Sequence, residues 1–240
     1  MSVAVANRIE AVLASLWEPP ADEDLAAILP RDAESLARFY PTALRAYLDR
    51  VETRLEGDVD SAAIVRGEIV SMGKGSVIEA GAIIHQSCRL VLGERSRIRS
   101  GAVLRGEVVV GDDCLIGVHC EVWRSVILGP GTALAHGNFI GDSIIGRGAV
   151  LSGNIIVANY AMQPGTKVPL RWGSDTLDSR RSHLGALVGD GAKLGASTTL
   201  CPGTIVMPGL FIPPGMVLYG TIDAARRRAL MDRFFAEWGG

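Results

Sequence analysis

The chain has 240 residues, 48% of them hydrophobic but only 5% aromatic, with 24 basic against 26 acidic side chains, a net charge of −2 and 29 glycines. That length buries a sizeable core, and the composition makes it aliphatic rather than ring-rich. Near-neutral charge gives no basis for binding nucleic acid or an anionic membrane surface, no apolar run reaches spanning length, and the opening Met-Ser-Val-Ala-Val lacks a signal peptide's basic flank; a cytoplasmic protein is expected.

Residues 1–62 are predicted to form an N-terminal helical cap. Ile9, Val12, Leu13, Leu16 and Trp17 keep helical spacing until Glu-Pro-Pro ends the run. Leu36, Phe39, Tyr40, Leu44, Tyr47, Leu48, Val51 and Leu55 form a second stripe, which Pro41 is expected to break or kink. Because terminal repeats of a solenoid need covering, these helices are expected to close the open end of the repeat region that begins at residue 63.

Residues 63–221 have a period of six. Aliphatic side chains recur at Met72, Ile78, Ile84 and Leu90; at Leu92, Ile98, Leu104, Val110, Ile116 and Val122; at Leu128, Leu134 and Ile140; at Ile145, Leu151 and Val157; and from Val188 through Leu194, Leu200, Val206 and Ile212 to Leu218. Six fits neither a helix nor an ordinary strand, but it fits an all-β solenoid in which each unit is a short strand plus a corner and three units make one coil. Cys88, Cys114 and Cys120 fall four residues after a repeat aliphatic and are predicted as buried reduced thiols, whereas Cys201 is out of phase; the four lack CxxC spacing, so no structural zinc site is expected.

The longest interruption, about 159–184, is predicted as an arm that leaves the coil and reaches a neighbouring subunit or a phosphate, with Lys167, Arg171, Trp172, Arg180 and Arg181 in it, or else an inert surface loop. Residues 222–240 are predicted as a terminal helix capped by Asp223, with Ala225, Leu230, Met231, Phe234, Phe235 and Trp238 available to pack and Arg226, Arg227 and Arg228 on a solvated face.

Of the four histidines, His136 follows Leu134 by two and is expected to face outward near a corner, where an imidazole exchanges protons with a ligand; His119 lies close to one coil earlier, and His85 and His183 have no evident companions. The strings AHGNFIGDSIIGRG and SRRSHLGALVGDGAKLG, within a segment of roughly residues 64–220, resemble the C-terminal half of the bifunctional sugar-1-phosphate nucleotidylyltransferase/amino-sugar-1-phosphate acetyltransferases. The resemblance implies a left-handed parallel β-helix, a homotrimer, and acetyl-CoA held between neighbouring subunits. It makes His136 the general base and Glu121 the carboxylate that orients it. Arg105 would grip the sugar phosphate, Asn159 would hold the acetyl group, and the Gly153 N–H would face the oxyanion, with Ala196 and Lys167 also assigned to acetyl-CoA. No metal is implied.

Several positions depart from the family's pattern. Phe139 stands where a tyrosine is usual, Trp123 where a phosphate-binding lysine is expected, with Arg124 beside it as a substitute contact, and Val150 where an asparagine contacts the sugar. The first seventy residues hold only Gly57 and Gly67, which leaves no glycine-rich loop for nucleotidyl transfer. The expected function is acetyl-CoA-dependent N-acetylation of an amino-sugar phosphate or sugar-nucleotide precursor, the alternative a non-catalytic β-helix that binds a sugar nucleotide or a partner protein. A zinc site like that of the γ-class carbonic anhydrases is disfavoured, because His85, His119 and His136 are 34 and 17 residues apart while that family has two ligands five apart.

Overall fold

The structure, a computed structural model, describes residues 3–238. Three parallel sheets of eight strands each form the walls of a solenoid, the chain visiting the three in turn. Register is set by the hexads: Ile98, Ile116, Leu134 and Leu151 lie side by side on one wall, and Leu104, Val122, Ile140 and Val157 on the next. All eight are fully buried, inside a core built almost wholly of aliphatic and small residues. A one-residue slip would turn each of these side chains outward, so the pattern specifies the pairing strongly.

Two breaks in the period have a structural cause. Leu90 and Leu92 both point inward, because the early strands of the third wall are longer than two residues, as in Arg89–Leu92 and Glu107–Val110. At the next break the core residue is Ile127; Leu128, the expected member, is buried on the other side of the wall. Cys88, Cys114 and Cys120 are buried inward as predicted, and Cys201 is half-buried. Burial pushes the Cys88 and Cys114 thiols up to about 12.

A second core lies outside the solenoid. The outward residues Val109, Val126, Ile144, Leu187 and Ile205 of the third wall are buried against Ile9, Leu13, Leu16, Leu36, Phe39 and Leu44 of the N-terminal segment. The helices therefore cover a lateral wall, not the open end. The reason is visible in the strands themselves: this wall is apolar on both faces, as buried parallel strands are. At the uncovered end Val59 and Val65 stay 44% and 39% exposed although their register partners Ile78 and Ile84 are buried.

The first predicted helix is Val3–Ser15, and the Trp17 indole beyond it donates to the Val188 carbonyl at 2.8 Å. The second stripe breaks at the expected place: Ala33–Arg38 and Leu44–Leu48 are joined by Phe39–Ala43, in which Tyr40 leaves helical backbone (φ −107°, ψ 134°). Proline at the following position disfavours helical backbone there. Helix ends at Leu48, so Val51 and Leu55 lie beyond it, and Leu55 is 64% exposed. A short helix, Glu23–Ile28, was not anticipated; Asp22 caps it by accepting from the Leu25 N–H.

The expected arm is folded back. It contains an antiparallel hairpin, Pro169–Trp172 with Asp175–Asp178, whose Leu170 and Leu177, with Val168 just before it, are buried in the second core. Four aliphatic side chains, Leu184 included, supply enough apolar area to hold it there, at about 1.5–3 kcal/mol for each. Terminal helix Ala224–Trp238 is capped by Asp223, which accepts from the Arg226 N–H at 2.8 Å. It packs less than expected: Leu230 meets the solenoid core, while Ala225 and Phe235 are exposed, and the Trp238 side chain lies outside the described residues.

Candidate active site

Two corner columns position the candidate site. Between the first and second walls, each coil turns through one residue with positive φ: Gly101 (72°), His119 (55°), Gly137 (63°), Asn154 (59°) and Ser197 (58°) stack in succession. Between the second and third walls the corresponding residues are Gly106 (66°), Arg124 (46°) and Asp142 (47°). Left-handed backbone favours glycine and tolerates Asn and Asp, and here its repetition aims consecutive side chains at one edge.

At the first corner His136 ends strand Ala133–His136 and is exposed, as expected of an outward imidazole. Its ring lies on Gly153, one coil later: a Cβ at Gly153 would stand 2.2 Å from His136 Nε2. The Gly153 carbonyl accepts from the Ser197 N–H at 2.9 Å, while the N–H of Gly153, a buried residue, has no partner among the described residues. Ala196 follows in the same column and is exposed. Imidazole, free N–H and Ala196 thus share one corner. His119 faces the other way, onto Gly101 of the preceding coil.

Along the second wall run Val103, Glu121, Phe139 and Ile156 in register, with Arg105, Trp123 and Gly141 two positions on. Glu121 accepts a charge-assisted hydrogen bond from Arg105 Nη2, and both side chains are half-exposed. The Arg105 guanidinium carbon lies 4.9 Å from the centre of the Trp123 ring and that of Arg124 lies 4.7 Å from it. Both separations are within cation–π range.

At the second corner Asp142 is wholly buried. Arg124 Nε stands 3.0 Å from its Oδ1, Arg124 Nη2 donates to Oδ2 at 3.0 Å, and Asn159 Nδ2 donates to Oδ2 at 2.5 Å. Burial raises the Asp142 carboxyl above its ordinary range, and Arg124 and the Asn159 amide oppose that shift. Beyond it, His183 stacks on Tyr160 with ring centres 4.9 Å apart, and the Leu184 N–H donates to the Asn159 carbonyl, closing the base of the hairpin segment.

Several expectations change. Glu121 is bonded to Arg105 and not to His136, because the two side chains point to opposite neighbouring coils. Arg124 is committed to Asp142 and is not a free phosphate ligand. Asn159, only 8% exposed, is committed to the same carboxylate rather than open to an acetyl group. Lys167 is exposed at the foot of the folded hairpin, and no interaction among the described residues ties it to the His136 corner. Asp142 was missed as a site residue although it closes the string HGNFIGD. Its only signal was a carboxylate directly after a repeat glycine, which sequence alone does not separate from a surface corner. Among the described residues, no group of three or more His, Cys, Asp or Glu is placed to hold a metal ion.

Parts of the chain are similar to known proteins. A family profile described as the hexapeptide repeat of succinyl-transferase matches residues 107–141, the stretch from Glu107 through His136 to Gly141. The bifunctional protein GlmU of Picosynechococcus is 37% identical over 92 residues, covering 38% of this chain and 20% of that protein. The bifunctional protein GlmU of Methanocaldococcus jannaschii is 27% identical over 152 residues, covering 62% of this chain and 35% of that protein. The chain thus spans well under half the length of these relatives. Among solved structures, a UDP-N-acetylglucosamine acyltransferase from Campylobacter jejuni matches over 74% of this chain and 83% of its own, at 14% identity and a TM-score of 0.45. The chain is thus similar to the hexapeptide repeat of succinyl-transferase over residues 107–141 and, over part of its length, to the bifunctional GlmU proteins.

Proposed function

We propose that the protein is an acyltransferase that moves an acetyl group from acetyl-CoA to the amine of an amino-sugar phosphate. The observation that carries this reading is the juxtaposition of the exposed His136 imidazole with the Gly153 N–H, which has no partner among the described residues. A base and an oxyanion donor within one corner are the two groups that direct transfer needs.

In the proposed step the amine nitrogen attacks the thioester carbonyl, its proton passes to His136, and the Gly153 N–H donates to the developing oxyanion. The carbon–sulfur bond then breaks, and the thiolate of coenzyme A takes up a proton. Arg105 is the guanidinium available to the acceptor's phosphate, since Arg124 is held by Asp142. The acyl donor is proposed to lie along the His136–Gly153–Ala196 corner, completed by a neighbouring copy in a homotrimer. Exposed Ile156, Val217 and Tyr219, at 42%, 65% and 60%, support an interface along the second wall. No described helix is long and apolar enough to cross a membrane, and the proposed setting is the cytoplasm.

The test is acetyl-CoA-dependent thiol release with glucosamine-1-phosphate, galactosamine-1-phosphate and their unphosphorylated amines. Turnover that needs an amine acceptor supports the reading. The second reading, a non-catalytic scaffold, is favoured by the closed Arg105–Glu121 and Asn159–Asp142 pairs; it predicts binding of a sugar phosphate without any thiol release.

A further inference from the structure

Glu121 is the one carboxylate among the strand residues of the second wall, so it is the acid best placed to serve the His136 corner. Its position fits: Glu121 pairs with Phe139, three residues after His136, one coil on. Yet it leans the other way. Its carboxylate is taken by Arg105 of the preceding coil, and the His136 imidazole has no hydrogen-bond partner among the described residues.

The two arginines over Trp123 differ in how firmly they are held. Arg124 is paired with a carboxylate that has no solvent exposure. Arg105 is paired with one that is 36% exposed; in both arginines Nε is buried without a hydrogen-bond partner, so it is the exposure of the paired carboxylate that separates them. A half-exposed ion pair is held only weakly, because solvent screens it. A phosphate that accepts from the half-exposed guanidinium of Arg105 competes with Glu121 for the same charged donor. The Trp123 ring keeps the guanidinium in place while its partner changes.

Resting on the acyl-transfer reading, we propose that Arg105 is a positioning residue that holds Glu121 away from His136 until the phosphate of the acceptor takes its guanidinium, whereupon Glu121 turns to the His136 imidazole. Acceptor binding and orientation of the base are then one event. In the absence of an acceptor the imidazole is left without its carboxylate, which limits proton abstraction when acetyl-CoA is bound alone.

Imidazole NMR on the full chain tests this, with His136 assigned by comparison with His136→Gln and inorganic phosphate as the probe. Phosphate is expected to move the His136 ring resonances of the wild type toward those of an imidazole donating to a carboxylate. Arg105→Ala is expected to show the moved resonances without phosphate and no further response, and Glu121→Gln to show neither. In kinetics, Arg105→Ala raises KM for the phosphorylated acceptor at least tenfold while kcat falls less than threefold; Glu121→Gln does the reverse. Arg105→Gln, which keeps the side chain's volume, serves if Arg105→Ala does not fold. Unchanged His136 resonances in both Arg105 variants, or an equal phosphate response in Glu121→Gln, overturn the proposal. A phosphate response that runs through Arg105 and Glu121 without turnover on any acceptor leaves the latch standing and removes the acyl-transfer reading.

Discussion

Asn159 donates from its side-chain amide to Asp142 at 2.5 Å, across the base of the segment that carries the hairpin. The same carboxylate faces Arg124, and the Asp142 backbone carbonyl accepts from the Gly185 N–H at 2.9 Å, so this one residue joins the second corner to the chain on both sides of residues 160–183. Removing one member of a buried ion pair leaves the other uncompensated, at about 3–5 kcal/mol. Asp142→Ala is therefore expected to lower the unfolding midpoint markedly, by several kcal/mol in denaturant titration. Asp142→Asn, which keeps the shape and the contact with Asn159, is expected to lose less. Equal losses in the two variants would show that the charge of Asp142 contributes nothing.

Gly153→Ala tests the corner where the acyl donor is proposed to lie. A methyl group there meets the His136 ring at 2.2 Å, and the ring is exposed and has room to swing away. The variant is expected to stay folded, with an unfolding midpoint close to the wild type, and to lose at least tenfold in turnover because the imidazole no longer sits over the oxyanion donor. Full activity would place the reaction elsewhere.

The thiols report the solenoid core. Cys88, Cys114 and Cys120 are buried and Cys201 is half-buried. At pH 8 a colorimetric thiol reagent is expected to modify Cys201 in the native protein and all four cysteines only after denaturation. The ordinary thiol value of 9.0 is raised to about 12 at Cys88 and Cys114 when folded, so the native state binds more protons than the unfolded chain between those values. Stability from these neutral thiols is complete below pH 9 and is lost as pH rises through about 12. Cys88→Ala is expected to flatten the alkaline limb of the stability profile.

The hairpin makes a separate prediction. Leu170 and Leu177 are buried against the N-terminal helix layer. Leu177→Ala is expected to cost about 2–5 kcal/mol and to open residues 160–183 to limited proteolysis before the solenoid unfolds. Cleavage in the N-terminal helices at the same rate would show that the two layers unfold together.

The repeat was legible because the solenoid's inward positions tolerate little besides aliphatic or small side chains, as at Ile98, Leu104 and Cys114. The covering layer was legible only in part. Val108–Val109–Val110, Val126–Ile127–Leu128 and Ile144–Ile145 are apolar on consecutive positions, which marks a wall buried on both faces, and that is why the helices lie there instead of at the end. His136 at an outward corner was legible from its spacing after Leu134. Its relation to Glu121 was not, because spacing fixes which coil a side chain starts from but not which neighbouring coil it leans toward. The same holds for Arg124 and Asn159, whose partner Asp142 sits at the next corner of the same edge.

The most direct test of the account is turnover by His136→Ala, measured as acetyl-CoA-dependent thiol release on an amino-sugar phosphate beside the unfolding midpoint of the same preparation. An exposed histidine contributes little to stability, so the midpoint is expected to match the wild type, while turnover falls about 10²–10⁴-fold with the loss of a general base. Wild-type turnover in a folded His136→Ala protein would contradict the account.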